Sequence, residues 1–411
     1  MVVIVGGGVI GVCAAYYLAA AGARVSVLEQ GEIGSGSSYG NAGLVVPSHS
    51  MPLAAPGVWQ QGLKWMRDPE SPFYIKPRLD PALLAWLWRF RRACTEAHVR
   101  RALPLLRDLS YRSLTLFREL AALDGVEFGF RQDGALAVYR TPAGYAHAQH
   151  EARRLEASGL PAKIVDAAGA RDLEPSLARD VVGGVLFPDD AHLVPDRFVR
   201  GLARVAEARG VALRPGTEVL GFRTAGHRVT TVETTRGPVA ADTVVLAAGS
   251  WSAGVARGLG LRLPIQPAKG YSVTYARPAA GPRLPLLLGE ARFAVTPMGE
   301  QLRFAGTLEL AGLDFSINRR RVEAIVRGAA RYLVGVEGLP LREIWRGLRP
   351  CTPDGLPLVG RPAGWENVIL ATGHAMIGVS LGPITGKLVA QLVAGSAPEM
   401  DLALLDPDRF A

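Results

Sequence analysis

The sequence predicts an α/β fold with α+β elements, and three observations predict it. First, Val2 to Val5 is a β-branched run leading into Gly6-Gly7-Gly8-Val9-Ile10-Gly11. A helix of small residues and a second strand, Arg24 to Leu28, follow. Second, strands run into glycine and small residues again near residues 250 and 375. Third, residues 270–276, 293–296 and 301–307 have the short, β-rich pattern of a largely antiparallel sheet. Together these give a Rossmann-like dinucleotide-binding part assembled from discontinuous segments, with a second, sheet-rich part beside it.

Each glycine of the first segment has a physical role in such a fold. Gly6 makes the tight turn, Gly8 lets the backbone approach a pyrophosphate, and Gly11 lets helix and strand pack closely. The helix start at Val9 and Ile10 offers free N–H groups and the positive end of a dipole. Glu29, beside Gln30, stands roughly 20 residues after the glycine turn, where an acid accepts from ribose hydroxyls. Two other readings exist. The glycines can serve only a tight turn. Met1 to Ala23 also carries no charge, as a membrane anchor or signal peptide would. The missing basic leader and three consecutive glycines oppose the membrane reading, and cleavage near residue 23 would destroy the fingerprint.

At 411 residues the chain is long enough for one complex domain or two to three, with ample core. Hydrophobic residues at 49% and charged residues at 20% indicate a soluble globular protein. Cys13, Cys94 and Cys351 form no C-x-x-C pair and no disulfide framework, which fits a reducing compartment. The formal charge of +9 favours anionic membranes, acidic substrates or nucleic acid. No basic run alternates with aromatics, so no nucleic-acid partner is expected. No metal site is expected either.

Residues 31–44 form a loop rich in glycine and serine, read as a second wall for an extended cofactor. Residues 47–57 are too proline-rich for helix or central strand. Helices are expected over 81–101 and 103–122, broken near Pro104. The first mixes Trp86, Trp88 and Phe90 with Arg89, Arg91 and Arg92. That suits a membrane surface or, preferably, a core face with solvated arginines. A strand over 131–140, a helix over 143–157 and a strand over 181–187 follow. Asp196 is expected to cap a helix running to Gly210. Strands near 211–213, 218–223, 229–235 and 243–247 lead to Ala248, Gly249 and Trp251, a further place for a cofactor. Asn318 to Leu333 is an amphipathic helix with Arg319, Arg320 and Arg321 on a solvated face. Residues 347–360 read as a long turn-rich segment, 368–371 as a strand, and about 380 to 394 as a helix.

One fingerprint at the N-terminus, with cofactor-like turns far along the chain, points to a single extended cofactor. FAD fits better than NAD, because an NAD enzyme completes its half-sites in one block. A second fingerprint and a redox C-x₄-C are both absent, which argues against NADPH use and disulfide reduction. The expected reaction is hydride transfer from a small substrate to flavin.

Several segments carry a family resemblance: VVIVGGGVIGVCAAYYLAAAGARVSVLEQ, SSYGNAGLVVPSHSMPLAAPG, VVLAAGSWS, PAKGYSVT, GLRPCTPDGLPLVG and GHAMIGVSLGPITGKLVAQLV. They resemble the FAD-dependent D-amino-acid dehydrogenases, within the group of D-amino-acid oxidase, glycine oxidase and sarcosine oxidase. The resemblance implies a flavin domain of residues 1–57, 143–262 and 345–411. It implies a substrate domain of residues 58–142 and 263–344, with a mixed sheet over the isoalloxazine. It also implies oxidation of an amino acid to an imino acid, which water converts to a 2-oxo acid and ammonia. By the same resemblance Glu29, Ser37, Ser38, Asn41, Ala42, Gly43 and Leu44 hold cofactor, with Ala248, Gly249 and Trp251. Val219 contacts adenine by its backbone. Gly373, His374, Met376, Ile377, Gly378 and Val379 match a segment whose amides face the flavin pyrimidine edge. Arg349 matches the arginine that pairs with the substrate carboxylate, a task suited to a planar, permanently charged guanidinium. A structural ion pair is the alternative for it.

The chain departs from glycine oxidase in having Met376 and Phe293 at the positions of an arginine and a tyrosine. An apolar pocket favouring hydrophobic or ring-shaped side chains follows, with Tyr271 able to supply a hydroxyl. Cys351 is out of register with the flavin-linked cysteine of sarcosine oxidase, so FAD is expected to be noncovalent. If the amine is neutral no side-chain base is needed; His49 and His374 are the alternative proton acceptors. The expectation is a cytoplasmic D-amino-acid dehydrogenase passing electrons to a quinone or other acceptor. Peripheral contact with the inner membrane face and assembly into an oligomer are compatible with it. The competing readings are an oxygen-using oxidase of glycine, sarcosine or cyclic imino acids, a flavin subunit of a larger dehydrogenase and, as a minor one, a tRNA-modifying flavoprotein.

Overall fold

The computed structural model describes every residue except Arg67 and Pro69. β1 (Val2–Val5), α1 (Val9–Ala20) and β2 (Val25–Leu28) form as the N-terminal pattern predicts. β1 lies inside a six-stranded sheet, flanked by β2 and the strand Thr243–Leu246, both parallel to it. Val368–Thr372 extends the sheet on one side and Ala212–Arg214 on the other. The strand order therefore reverses at β1, and the crevice beyond its carboxyl end is where open α/β sheets bind ligands.

The uncharged N-terminus is buried because it is the centre of this layer. Val3, Ile4, Cys13, Ala14 and Ala15 have no exposed surface. Gly386 of the helix Gly382–Ala394 packs so close to Cys13 that a side chain there would collide with its backbone. The sheet's other side is covered by a small antiparallel sheet, Val219–Ala225, Arg228–Thr234 and Val239–Ala240. Among the described residues no helix is long and apolar enough to cross a membrane.

The second part is a nine-stranded sheet. Its longest pair, Gln266–Ala276 and Leu341–Cys351, is antiparallel, and most of its other pairs are too. Leu286–Leu288 with Ala135–Tyr139, and Phe73–Ile75 with Gln301–Leu310, are parallel, so the sheet is mixed. The helix Arg319–Ala330 and the core around Phe293, Phe304 and Ile325 cover one face.

Several local expectations are corrected. The helices are Pro81–Ala93 and Glu96–Ala121, and the break falls at Cys94-Thr95. Thr95 caps the second through His98 N, and Pro104 sits inside it. Burial of Ala102, Leu106 and Leu109 outweighs the roughly 3 kcal/mol that an interior proline costs. Val194, not Asp196, holds the cap of the helix Pro195–Ala208; Asp196 lies in its first turn, where its charge favours the dipole. Residues 347–351, read as part of a turn-rich segment, complete the strand Leu341–Cys351 because Gln266 to Gly270 give them ladder partners.

Arg321 is not on a solvated face. It is 2% exposed, pairs with Glu309 at 3.3 Å and donates to the Ser71 carbonyl. Two stretches lie elsewhere than the expected division. Lys163–Asp166 and Gly183–Phe187 pair beside Ala135–Tyr139 in the nine-stranded sheet, while Leu114, Phe117 and Leu120 join the core around α1.

Candidate active site

Two cavities of about 580 and 600 Å³ meet at Ser37, Asn41, Gly347, Arg349 and Ala375, forming one elongated cleft between the sheets. The outer cavity lies over the carboxyl end of β1 and is lined by Gly6, Gly8, Val9, Ile10, Glu29, Gln30 and Val219. Gly6 has φ +112°, and a Cβ there would strike the Ala247 carbonyl. Only glycine lets β1 turn so close to the neighbouring strand. The amides of Gly8 and Ile10 make no hydrogen bond among the described residues. Ser38 Oγ accepts from Val9 N at 3.0 Å. The Glu29 carboxylate is fixed by Gly7 N at 2.8 Å and Gly31 N at 2.9 Å, which leaves lone pairs for further donors.

Ala248, Gly249 and Trp251 form the facing wall. Trp251 stacks with Phe315 at 6.2 Å, and the Arg346 guanidinium lies 4.8 Å from the Phe315 ring centre. Ser37 lies between the cavities, its hydroxyl donating to the Leu348 carbonyl. Asn41 binds Gly43 N, and Ala42 and Leu44 line the inner cavity. Gly11, Gly43 and Gly373 line neither cavity. They sit behind its walls, where a side chain would meet Gly6, Leu193 and Thr352 respectively.

Arg349 stands on the long strand opposite Ala268, and its guanidinium covers Gly270, where any Cβ would overlap it. Nη1 donates to the Thr307 carbonyl at 2.8 Å. No carboxylate pairs with it among the described residues, and burial pulls it below the ordinary arginine value. A half-buried cation with unused donors, aimed into a cavity, is a site for a carboxylate ligand. Among the described residues Thr307, Ala375 and Arg292 are the non-glycine residues with positive φ, and all three line the inner cavity. Strained backbone of this kind collects at functional sites.

Tyr271 borders the inner cavity, as Phe293 does, but its hydroxyl is engaged elsewhere. Successive strand residues face opposite sides of a sheet. Gly270 faces Arg349, while the Tyr271 hydroxyl donates to Glu309 at 3.2 Å and accepts from Asn318 N at 3.2 Å. Lys269, Glu309 and Arg321 form a buried charge cluster there, with the half-buried Asp314 at its edge. The hydroxyl expected at the substrate thus holds that cluster together.

In the 373–379 turn the amides of Met376, Gly378 and Val379 have no partner among the described residues. Ile377 and Met376 line the inner cavity; Gly378, Val379 and His374 line the outer. The His374 ring is 2% exposed and hydrogen-bonded to Thr385 Oγ1 at 3.0 Å, so its side chain is structural. Phe293 packs against Gly306 and Gly328, with Met376 46% exposed in the same cavity. Trp59, Trp86, Leu87 and Phe90 complete a strongly apolar lining. Trp86 and Phe90 are buried while Trp88 is 58% exposed, which divides the aromatic cluster between core and surface. Cys351 is fully buried, and its carbonyl accepts from Trp86 Nε1 at 2.9 Å.

His49 lines the inner cavity, and its Nδ1 lies 3.1 Å from Ser48 Oγ. Ser48 donates to buried Asp190 at 2.5 Å. Sequence reasoning missed Asp190, Thr307, Phe315 and Trp345. The Trp345 indole fills the space above Gly40 and Gly347. Its register opposite Ser272 follows from the same ladder that places Arg349. No local signal marks the other three.

The unpaired amides, the fixed acid and the length of the cleft fit FAD. Comparison with known proteins agrees. The family model described as FAD dependent oxidoreductase matches residues 1–392. A D-amino acid dehydrogenase of Methylobacterium radiotolerans is 40% identical, over 98% of each chain. One from Granulibacter bethesdensis is 36% identical, over 100% of this chain and 99% of its own. The crystal structure of glycine oxidase from Geobacillus kaustophilus superposes with a TM-score of 0.81 at 26% identity, covering 99% and 98% of the two chains. The chain belongs to the FAD-dependent oxidoreductase family.

Proposed function

We propose that this chain deaminates D-amino acids with apolar or cyclic side chains, giving 2-oxo acids and ammonia. The observation that carries the reading is Arg349, a cation without a carboxylate partner among the described residues, at the junction of the cofactor cleft and an apolar chamber. Relatives named D-amino acid dehydrogenase support the stereochemistry. The Gly6–Gly11 turn and the 373–379 turn would hold FAD, which would supply a two-electron acceptor for the substrate hydride. Arg349 holds the substrate carboxylate, and Gly270 leaves room for it. Phe293, Met376 and Trp59 surround the side chain and keep water out, which strengthens the carboxylate pair.

Electrons pass to a quinone or another acceptor at a membrane surface. Exposed Leu84 and Trp88, with Arg91 and Arg92 beside them, support peripheral contact with anionic lipid. Anaerobic mixing with a panel of D- and L-amino acids tests the activity: the flavin should bleach with apolar D-amino acids. Admitting air tests the acceptor. Rapid reoxidation by oxygen alone moves the reading to an oxidase, which the likeness to glycine oxidase favours as the second choice.

A further inference from the structure

The deamination reading leaves open how the substrate ammonium loses a proton before its Cα–H can leave as hydride. A chain of hydrogen bonds runs from the inner cavity into the core at this point. His49 lines the cavity, Ser48 Oγ lies 3.1 Å from His49 Nδ1, and Asp190 Oδ2 lies 2.5 Å from Ser48 Oγ. Ser48 N also donates to Asp190 Oδ1 at 3.1 Å, which fixes the carboxylate. Asp190 is 1% exposed and no cation pairs with it among the described residues.

The donor order follows from the geometry. With Asp190 ionised, Ser48 spends its only proton on it, and its oxygen then accepts from His49 in the Nδ1–H tautomer. The neutral ring then carries its free lone pair on Nε2. We infer that His49 takes the substrate ammonium proton, with Ser48 and Asp190 as positioning residues that relay a proton to the buried carboxylate. In the step, a substrate N–H bond breaks and His49 Nε2–H forms. His49 gives its Nδ1 proton to Ser48 Oγ, and Ser48 gives its own to Asp190 Oδ2. No electrons move, and one positive charge leaves the substrate while one negative charge is lost at Asp190. After the product leaves, the proton returns by the same chain to water in the open cavity.

The surroundings favour that direction. His49 is exposed to the cavity, whereas Asp190 is 1% exposed and burial pushes it up to about 7, so the buried carboxylate is the group in this hydrogen-bond chain that holds a proton well. The other groups near Asp190 are Asp189 and, from the helix Glu96–Ala121, Tyr111 and Arg107. Tyr111 donates to Asp189 at 2.7 Å, and Arg107 is paired with Asp108. His192 lies two residues on, near Arg131, Asp133 and Arg277. Asp189 adds negative charge and so strengthens the proton affinity of Asp190.

The test is the rate of anaerobic flavin reduction by saturating D-phenylalanine or D-leucine, measured against pH on the FAD-loaded protein. Ser48→Ala should lose at least about tenfold near pH 7 while binding FAD normally. Near about pH 10, where the amine deprotonates unaided, the loss should shrink to about twofold. Asp190→Asn should behave alike, and the double variant no worse than Ser48→Ala, as members of one chain do. Ser48→Thr keeps the hydroxyl and should restore the rate to within about threefold. A loss that persists at high pH, or a Ser48→Ala protein at the wild-type rate near pH 7, overturns the relay and leaves the deamination reading standing. A wild-type flavin that no D-amino acid reduces overturns both.

Discussion

Arg349 donates to the carbonyl of Thr307, and Thr307 aims that carbonyl from a left-handed backbone at φ +64°. A β-branched residue held there costs of order 1–3 kcal/mol. The guanidinium is thus anchored at one nitrogen by a strained strand, and its other donors make no hydrogen bond among the described residues. Arg349→Met should raise the half-saturating concentration of a D-amino acid by roughly tenfold or more, with FAD still bound. Steady-state kinetics with a flavin spectrum check both halves. An unchanged value would remove Arg349 from substrate binding.

Thr307→Gly separates strain from function. Glycine relieves the left-handed backbone, but its extra freedom in the unfolded chain costs about 1 kcal/mol. The melting temperature should therefore hold or rise slightly. The carbonyl loses its fixed aim, so KM for the substrate should increase several-fold, by about 1 kcal/mol of binding. Thermal melts and KM on the same preparation decide it. A fall in both stability and affinity would mean that the threonine side chain, whose Oγ1 has no partner, matters more than its backbone.

On the proposed reading, Phe293 and Met376 are the residues that set side-chain preference. Phe293 is locked by Gly306 and Gly328, whereas Met376 is 46% exposed and can be changed with little effect on packing. Met376→Arg should cut kcat/KM for D-phenylalanine by about tenfold and raise it for D-glutamate. Equal losses for both substrates would show that Met376 does not face the side chain.

The elements legible in the sequence are those whose signals are local. β1, α1 and β2 carry periodicity and a glycine turn within thirty residues. Arg349 stands in the GLRP motif, and the chemistry of a guanidinium is readable from its type. What the sequence concealed is relational. Tyr271 is one residue from Gly270, so it points to the opposite face, and a register shift at Lys269/Tyr271 obscures the alternation. Arg321 reads as a solvated charge until Glu309 and Ser71 arrive from other elements to bury it. Asp190 meets Ser48 across 142 positions. Pro104 misled because tertiary burial overrode a local helix breaker.

The helix Pro81–Ala93 predicts membrane behaviour. Trp86 and Phe90 face inward at 3% and 7% exposure, while Leu84 and Trp88, four apart, face outward. Arg92 lies 4.6 Å from the Trp88 ring centre. Vesicles rich in anionic phospholipid should retain the protein at low salt and release it at high salt. Leu84→Glu with Trp88→Glu should abolish retention without lowering dye-linked activity. Sedimentation with neutral and anionic vesicles provides the measurement; equal retention of the variant would place the contact elsewhere.

Stability should rise with pH through the mildly acidic range, for a reason that can be assigned. His192 and His374 are 3% and 2% exposed, and burial lowers them from 6.5 to about 4 and about 3. Each is neutral in the folded protein where the unfolded chain would bind a proton. Their contribution is fully present above about pH 6.5 and is lost as pH falls toward the folded values. Asp190 acts oppositely: burial raises it from 3.8 to about 7, so the folded state holds the extra proton and stability falls as pH rises across that window. Two histidines outweigh one aspartate, so melting temperature should climb from about pH 4 to pH 6.5. His374→Gln should flatten that climb, and Asp190→Asn should steepen it. Melts of the three proteins across this range check the opposite signs; a flatter curve for Asp190→Asn would show that its carboxyl is not held protonated.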